Sequence, residues 1–136
     1  MRCPGTKYYN QTEDNIYVSG NIIKQTNILM FSCGTGITPF YSIIQNLILD
    51  TKYKLHLYSS FQNKSQSYLY EKLSNPNLSK KVFYSDNFDK LDNFKLDLIL
   101  DKINKSNTIV FVCGTNSYNK MIISKCVEYG IDCFDF

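Results

Sequence analysis

The order of apolar and polar positions changes along the chain near residue 27. From there, continuous apolar runs such as NILMFSC (27–33) and NTIVFVCG (107–114) alternate with segments that have helical spacing, such as FYSIIQNLILD (40–50). Continuous runs are typical of strands buried on both faces, whereas apolar residues spaced three and four apart predict amphipathic helices. The alternation predicts β-α-β units, and therefore a parallel sheet with helices on both faces.

The other segments complete an α/β fold with five parallel strands and four helices. Before residue 25, the short runs KYYN (7–10) and NIYVS (15–19) predict a hairpin or two edge strands. The remaining predicted strands are 54–60, 81–86 and 131–136, and the remaining helices are 66–74, 96–104 and 116–130.

Composition and charge exclude several classes of protein. The 136 residues suffice for one domain, and the net charge of +3 is scattered, which argues against nucleic-acid binding. Five cysteines and a single histidine, without a C-x-x-C motif, argue against a disulfide scaffold and a metal site and indicate free thiols in a reducing compartment. No apolar stretch approaches the ~18 residues of a membrane span, and the N-terminus does not resemble a signal peptide. We therefore expect a cytoplasmic protein.

The segment CGTGITP, which follows the first long strand, carries the clearest chemical signal. Ligands of parallel sheets bind at the carboxyl ends of the strands, and SSFQNK, YSDN, CGTNSYNK and the terminal FDF also lie there. Gly34 and Gly36 permit a tight turn and close approach of a ligand, and the start of the next helix favours an anion. Thr35 and Thr38 add hydroxyl groups, and Pro39 suits a first helical turn. The simpler alternative is a turn without a ligand.

The segment CGTNSYNK repeats this arrangement after the fourth strand of the predicted sheet. Cys113, Gly114 and Thr115 end an apolar strand, and a helix follows directly. Two such strand ends in one sheet would face a shared crevice. An ordinary helix cap is the alternative interpretation of this segment.

These motifs together resemble the C-terminal pyridine-nucleotide domain of the ferredoxin–NADP reductase superfamily, and most closely NADH–cytochrome b5 reductase. The family has G-T-G-I-T-P after its first strand and a C-G-P-P-P-M-type segment after its fourth. In this chain, these correspond to Gly34–Pro39 and to Cys113, Gly114 and Met121. The family's H-L-x-x-x-x-Q and C-F-x-F segments are matched by His56, Leu57, Gln62 and Cys133–Phe136. The resemblance implies a nucleotide-binding sheet at 26–136, preceded at 1–25 by the end of a flavin-binding barrel.

The resemblance also implies roles for individual residues. Cys113 and Thr38 are the candidate catalytic residues, with Cys113 under the nicotinamide ring beside the flavin. Phe136 would close the site, although core packing is the alternative for this residue. The implied cofactor-binding residues are Gly34, Thr35, Gly36, Thr38, Pro39, Ser60, Gln62, Lys64, Gly114, Thr115 and Phe136. Because SSFQNK contains Gln62 but no arginine, the expected cofactor is NADH rather than NADPH.

The expected function is that of a reductase half that passes hydride from NADH to FAD and electrons to a haem protein such as cytochrome b5. The family's R-x-Y-T/S flavin motif is absent from the sequence, so full activity requires the flavin domain on the same polypeptide or in trans. By analogy, the protein would act at the cytosolic face of the endoplasmic reticulum. Three other interpretations remain open: a non-catalytic nucleotide-binding or interaction module, thiol redox chemistry at Cys33 and Cys113, and a docking face at Lys24, Lys52 and Lys54.

Overall fold

A computed structural model describes residues 9–12, 15–18, 21–48, 50 and 52–136. The described residues form eight strands and four α-helices, connected by loops and short 3-10 turns. The strands are β1 (Tyr9–Thr12), β2 (Asn15–Val18), β3 (Asn21–Ile23), β4 (Asn27–Cys33), β5 (Lys54–Phe61), β6 (Leu78–Tyr84), β7 (Thr108–Cys113) and β8 (Asp132–Asp135). The helices are α1 (Ile37–Leu47), α2 (Tyr68–Lys72), α3 (Asn93–Leu100) and α4 (Asn116–Tyr129).

The last five strands form one parallel sheet in the order β6-β5-β4-β7-β8, which confirms the predicted α/β fold. Helices α1 and α2 pack on one face of this sheet, and α3 and α4 pack on the other. Strand β5 pairs with β4 on one side, and β7 pairs with β4 on the other side. The strand order therefore reverses between β4 and β7, and such reversals open a crevice at the carboxyl ends of the strands.

The burial of the two central strands explains why their sequences are apolar throughout. All six residues of β7 are buried, as are the five internal residues of β4. The polar exception in β4 is Ser32, whose hydroxyl donates to the Ser59 hydroxyl of β5 at 2.8 Å. A strand covered by helices on both faces has no solvent-facing positions, so it shows no alternation of apolar and polar residues.

Two helices begin earlier than the apolar pattern predicts, since their first residues lie before the first apolar residue of that pattern. Helix α1 begins at Ile37, so Thr38 and Pro39 lie in its first turn. Helix α3 begins at Asn93, and the Asp92 carboxylate caps it by accepting from the Lys95 N–H at 2.9 Å. An N-cap carboxylate satisfies a backbone donor that the helix itself leaves unpaired.

The first strands form a separate three-stranded antiparallel sheet, in the order β1-β2-β3. The pairing of β1 with β2 agrees with the predicted hairpin. Two predictions about this part stay untested: the domain division between residues 25 and 26, and the origin of residues 1–25 in a flavin-binding barrel. Residues 1–8 lie outside the described part of the chain. Among the described residues, no helix has both the length and the apolarity needed to cross a membrane.

A polar network ties three strands together at the amino edge of the parallel sheet. His56 Nε2 lies 2.9 Å from the Asn27 side-chain oxygen, and the Asn27 amide donates to the Thr108 hydroxyl at 3.0 Å. The Thr108 hydroxyl in turn donates to the Asn104 carbonyl at 2.8 Å. Burial, followed by the nearby Lys54 charge, lowers the pKa of His56, which favours its neutral form.

Candidate functional site

The turn between β4 and α1 is a 3-10 turn formed by Gly34–Gly36. Gly34 has a φ of 61°, in the left-handed region that residues with a side chain rarely adopt. A Cβ on Gly34 would meet nothing within 4 Å, so open space lies beside this backbone. The Thr38 hydroxyl donates to the Thr35 carbonyl at 3.0 Å and braces the following turn. Position 34 therefore needs glycine for its conformation and leaves room for a ligand.

Gly36 is needed for a different reason, which is its contact with the neighbouring strand end. A Cβ on Gly36 would lie only 2.0 Å from the Cys113 carbonyl oxygen. A Cβ on Gly114 would lie 2.7 Å from the Cys33 Cβ and 2.8 Å from a ring carbon of Tyr118. Gly36 therefore packs against the backbone at Cys113, and Gly114 packs against the side chains of Cys33 and Tyr118, so neither glycine leaves space for a side chain of its own.

A cavity of about 660 Å³ opens at the carboxyl edge of the sheet, beside these two turns. Residues at the ends of β4, β5 and β6 and in the first turns of α4 line it, and its volume is typical of small-molecule sites, which measure roughly 300–1,000 Å³. Phe83, Leu91 and Met121 supply apolar lining, and Thr115 and Ser117 place the start of α4 at the cavity. We refer to it as the nucleotide cavity, after the ligand that the sequence resemblance implies.

Two hydroxyl groups that line the nucleotide cavity are buried without partners. Tyr118 is 8% exposed, and neither its phenol oxygen nor the Ser60 Oγ has a hydrogen-bond partner among the described residues. Burial raises the pKa of Tyr118, and the neighbouring Ser60 hydroxyl only partly opposes this effect. The phenol is therefore neutral at physiological pH and keeps a proton to donate. Native proteins seldom leave such groups unpaired, so these hydroxyls point to a missing polar ligand atom.

The end of β6 brings opposite charges to the nucleotide cavity. Asp86 and Lys90 both line it, and the Asp86 N–H donates to the Gln62 carbonyl at 2.9 Å. Between the two charged residues, Phe88 adopts a left-handed φ of 56° and is 98% exposed. Burial raises the pKa of the Cys33 thiol, and the Lys90 charge is among the weaker effects that oppose it. A carboxylate and an ammonium group are thus both available to a charged ligand.

A smaller cavity of about 370 Å³ lies between the starts of α1 and α2. Thr35 and Thr38 line it together with Tyr68. Gly34 and Gln66 line both cavities, so the two spaces adjoin the β4–α1 turn from different sides. A ligand longer than one cavity has room to continue past Gly34.

The structure brings part of the predicted site together in these cavities. Gly34, Ser60, Gln62 and Thr115 line the nucleotide cavity, whereas Thr35 and Thr38 line the smaller one. The other predicted residues line neither of the two: Gly36, Pro39, Lys64, Cys113, Gly114 and Phe136.

Phe136 has the contacts of a core residue. It is 3% exposed, and its ring centroid lies 5.7 Å from that of Phe40 and 5.1 Å from that of Phe111. Its backbone N–H donates to the Val112 carbonyl at 2.8 Å. In this structure the aromatic ring therefore belongs to the hydrophobic core, as the core-packing alternative expects.

The cysteines depart in one respect from the expectation of free thiols. Cys33, Cys126 and Cys133 are free, whereas Cys113 is disulfide-bonded and 0% exposed. An odd cysteine count and the lack of a C-x-x-C motif describe the chain as a whole and do not determine the state of one sulfur. The expectation of a free thiol is therefore wrong for Cys113 in this structure.

Sequence reasoning missed several polar residues of the nucleotide cavity, among them Asp86, Lys90 and Tyr118. The position of YSDN at a strand end is the signal that could have found Asp86, because carboxyl ends of parallel strands face the crevice. Tyr118 has no comparable signal, since it is one of eleven tyrosines and its burial depends on tertiary contacts.

Comparisons with known proteins agree with this geometry. The family model described as the oxidoreductase NAD-binding domain matches residues 30–123, and no match was found among curated proteins. One similar solved structure is the cytochrome b5 reductase domain of Ulva prolifera nitrate reductase, with a TM-score of 0.70 and 16% identity over 98% of this chain. Another is a ferredoxin NADP+ reductase from Neisseria gonorrhoeae with bound FAD and NADP, with a TM-score of 0.64 and 15% identity over 93% of this chain.

The matches differ in what they establish. At such low identity, the likeness to solved structures shows the fold alone, and this chain spans 56% of the Ulva domain and 66% of the Neisseria enzyme. The family model, in contrast, covers more than half of this chain and includes both glycine-containing turns. The chain therefore belongs to the oxidoreductase NAD-binding domain family, with the fold of the C-terminal pyridine-nucleotide domain of the ferredoxin–NADP reductase superfamily.

Proposed function

We propose that the chain binds a pyridine nucleotide in the nucleotide cavity, with a preference for NADH over NADPH. The observation that carries the proposal is the lining of this cavity, where the hydroxyls of Tyr118 and Ser60 have no partner among the described residues. The open space beside Gly34 and the start of α4 add room and a favourable field for a phosphate group. A polar, anionic ligand would satisfy all of these features together.

The cavity residues suggest how such a ligand would be held. Asp86 would accept hydrogen bonds from ribose hydroxyls, while Gly34 and the first turn of α4 would face the phosphates. Thr35 and Thr38 would contact the part of the ligand that continues past Gly34. When bound, the nucleotide supplies a hydride. Direct participation of Cys113 or Thr38 in hydride transfer stays a prediction.

The charge of Asp86 supports the preference for NADH. NADPH differs from NADH by a phosphate on the adenine ribose, and a carboxylate near that position repels it. An acidic residue can instead accept from the free 2′-hydroxyl of NADH. Lys90 is also close to the cavity, so the preference depends on which of the two charges meets the ribose.

We propose further that the chain is the nucleotide-binding half of a flavin-dependent reductase. In this proposal FAD is held by a domain on the same polypeptide or in trans, and a haem protein such as cytochrome b5 accepts the electrons. The neighbours support it, since one is a cytochrome b5 reductase domain and another contains both FAD and NADP. In this scheme the chain binds and orients the nucleotide, and the flavin carries out the electron chemistry.

The second candidate function is nucleotide binding without hydride transfer. The observation that favours it is the burial of two residues expected near the reacting atoms, because Cys113 is 0% exposed and Phe136 is 3% exposed. A protein of this kind would bind NADH but would not pass electrons on, whichever flavin domain is supplied.

Calorimetric titration of the folded chain with NADH and NADPH tests the proposed binding. The variant Ser117→Asp places a carboxylate in the first turn of α4, where it suits the helix dipole but repels a phosphate in the cavity. The matched control is Ser124→Asp, on an exposed part of the same helix. We expect NADH to bind the wild type and the control but not Ser117→Asp. Failure of the folded wild type to bind either nucleotide would overturn the proposal.

Reduction of cytochrome b5 by NADH separates the two candidate functions. The assay combines the chain with a flavin-binding barrel domain, supplied as a separate polypeptide, and compares the rate with that of the barrel domain alone. The reductase proposal expects a faster rate that Ser117→Asp abolishes. Normal NADH binding without any increase in rate would favour the second candidate.

A further inference from the structure

We propose that the Tyr118 and Ser60 hydroxyls form a two-donor site that binds a phosphate oxygen of the nucleotide. This inference rests on the proposed nucleotide binding and assigns a role to two side chains within it. Neither hydroxyl belongs to the β4–α1 turn or the β7–α4 turn. Each is buried, lines the nucleotide cavity and has no hydrogen-bond partner among the described residues.

The local structure explains how Tyr118 reaches the cavity. The Thr115 hydroxyl caps α4 by accepting from the Tyr118 N–H at 3.3 Å, which fixes the backbone of the first turn. The Tyr118 ring then packs where a Cβ of Gly114 would otherwise be, because that Cβ would lie 2.8 Å from it. The glycine thus makes room for the tyrosine, and the phenol is held by α4 and by the β7–α4 turn.

Ser60 reaches the same region from the neighbouring strand. It is the register partner of Cys33, the last residue of β4, so it lies beside the start of the Gly34 turn. Ser60 lowers the pKa of Tyr118 as a hydrogen-bond partner does, so the two hydroxyls are close, but the contact does not have the geometry of a normal hydrogen bond. Two donors from separate elements, the end of β5 and the first turn of α4, therefore lie next to each other at the cavity.

The absence of partners argues against a purely structural role for these hydroxyls. A buried hydroxyl without a partner destabilises the folded state, whereas a phenylalanine or alanine of similar shape avoids this penalty. In the ligand-free protein the Tyr118 and Ser60 hydroxyls interact with each other without a hydrogen bond of normal geometry, so each gains little from its oxygen. A bound ligand that accepts two hydrogen bonds gives both oxygens a function.

The surroundings favour a phosphate as the group that accepts. Phe83, Leu91 and Met121 form an apolar wall that suits a base, and Asp86 suits a ribose hydroxyl. The cavity also contains the start of α4, which favours an anion, and the open side of Gly34, which leaves room for one. The hydroxyl donors of Tyr118 and Ser60 next to the start of α4 suit a phosphate better than they suit the aromatic ring of a base.

The variants Tyr118→Phe and Ser60→Ala test the inference through affinity and ligand-free stability together. Loss of a hydrogen bond to a charged group weakens binding by about ten- to a hundredfold, so we expect this loss for NADH and ADP with either variant. We also expect the ligand-free variants to melt at the same temperature as the wild type or higher. Unchanged affinity for NADH would overturn the inference.

Tyr129→Phe is the matched control. The Tyr129 hydroxyl lies 2.9 Å from an Asp97 carboxylate oxygen and 2.8 Å from an Asp101 carboxylate oxygen, away from the cavity. This variant should therefore lose stability and keep its affinity for NADH, the reverse of Tyr118→Phe. Lower ligand-free stability of Tyr118→Phe with normal affinity would assign its hydroxyl a structural role and overturn the inference.

Phosphorus NMR of ADP at saturation identifies the group that the hydroxyls contact. We expect the phosphorus shifts of bound ADP to differ between the wild type and Tyr118→Phe. Weaker affinity with identical phosphorus shifts would place the hydroxyls at the sugar or base and overturn the phosphate assignment. If the wild type binds neither NADH nor ADP, the proposed function itself fails, which is a distinct result.

Discussion

At the scale of single residues, Gly34 and Gly36 differ in what an added methyl group would meet. The Cβ of Gly36→Ala would lie 2.0 Å from the Cys113 carbonyl oxygen, so the β4–α1 and β7–α4 turns would have to separate. We expect the free energy of unfolding to fall by about 3 kcal/mol or more. Gly34→Ala meets no atoms within 4 Å, and its left-handed backbone costs about 1–2 kcal/mol. Urea denaturation of both variants measures the difference, and equal losses would contradict it.

The charge of Asp86 also has a measurable consequence at the residue scale. Asp86→Asn removes the carboxylate from the cavity, so we expect the affinity for NADPH to rise relative to that for NADH. A unit charge near a phosphate is worth about 1 kcal/mol in water, so the affinity ratio should change by about fivefold or more. Calorimetric titration with both nucleotides measures the ratio.

Asp89→Asn is the control for Asp86→Asn, because Asp89 lies in the same loop but pairs with Lys95 at 3.0 Å outside the cavity. This control should leave the ratio of the two affinities unchanged. An equal shift in both variants would mean that the net charge of the loop, and not the position of Asp86, determines the preference.

At the scale of whole elements, the N-cap of α4 links stability to binding. Thr115→Ala removes the oxygen that accepts from the Tyr118 N–H, so we expect a loss of about 1 kcal/mol in the free energy of unfolding. The affinity for NADH should fall as well, because the same turn positions the Tyr118 hydroxyl. Thr115→Ser keeps the cap and should restore both. Full stability of Thr115→Ala in urea denaturation would show that the cap is unimportant.

The sequence predicts the elements of the sheet better than their ends. Strand β4 matches its predicted range, and β7 differs by one residue at each end, because both strands are continuous apolar runs. Helix α3 was expected at 96–104 but occupies Asn93–Leu100, since the Asp92 cap and not the apolar pattern determines where it begins. Local hydrogen bonds of this kind contribute no periodic signal to the sequence.

The nucleotide cavity could be predicted only in part, for a related reason. Gly34 was identifiable because a glycine turn between a strand and a helix has a local signature. Tyr118 and Ser60 come from different elements, and only the packing of α4 against the strand ends brings their hydroxyls into one cavity. The contact between Gly36 and Cys113 likewise depends on the pairing of β4 with β7, which spacing along the chain does not reveal.

At the scale of the whole molecule, the single histidine makes stability depend on pH. His56 has a lowered pKa in the folded protein, whereas the unfolded chain takes up a proton near pH 6.5. Protonation therefore favours the unfolded state, and stability should decline as the pH falls from about 7 to about 5. Most carboxylates titrate below this range.

Urea denaturation at several pH values measures this decline. His56→Gln keeps a donor for the Asn27 oxygen but cannot take up a proton, so its stability should vary less across the same range. An identical pH dependence in the variant and the wild type would show that other groups are responsible.

The contact between Gly36 and Cys113 also limits how far this nucleotide loop can be treated as a portable module. The β4–α1 turn packs at Gly36 directly against the backbone of Cys113. A graft of GTGITP alone onto a foreign scaffold would therefore lack the surface that it packs against. A successful transplant has to carry both strand ends. Insertions between residues 34 and 36 should likewise survive in evolution only with a matching change near residue 113.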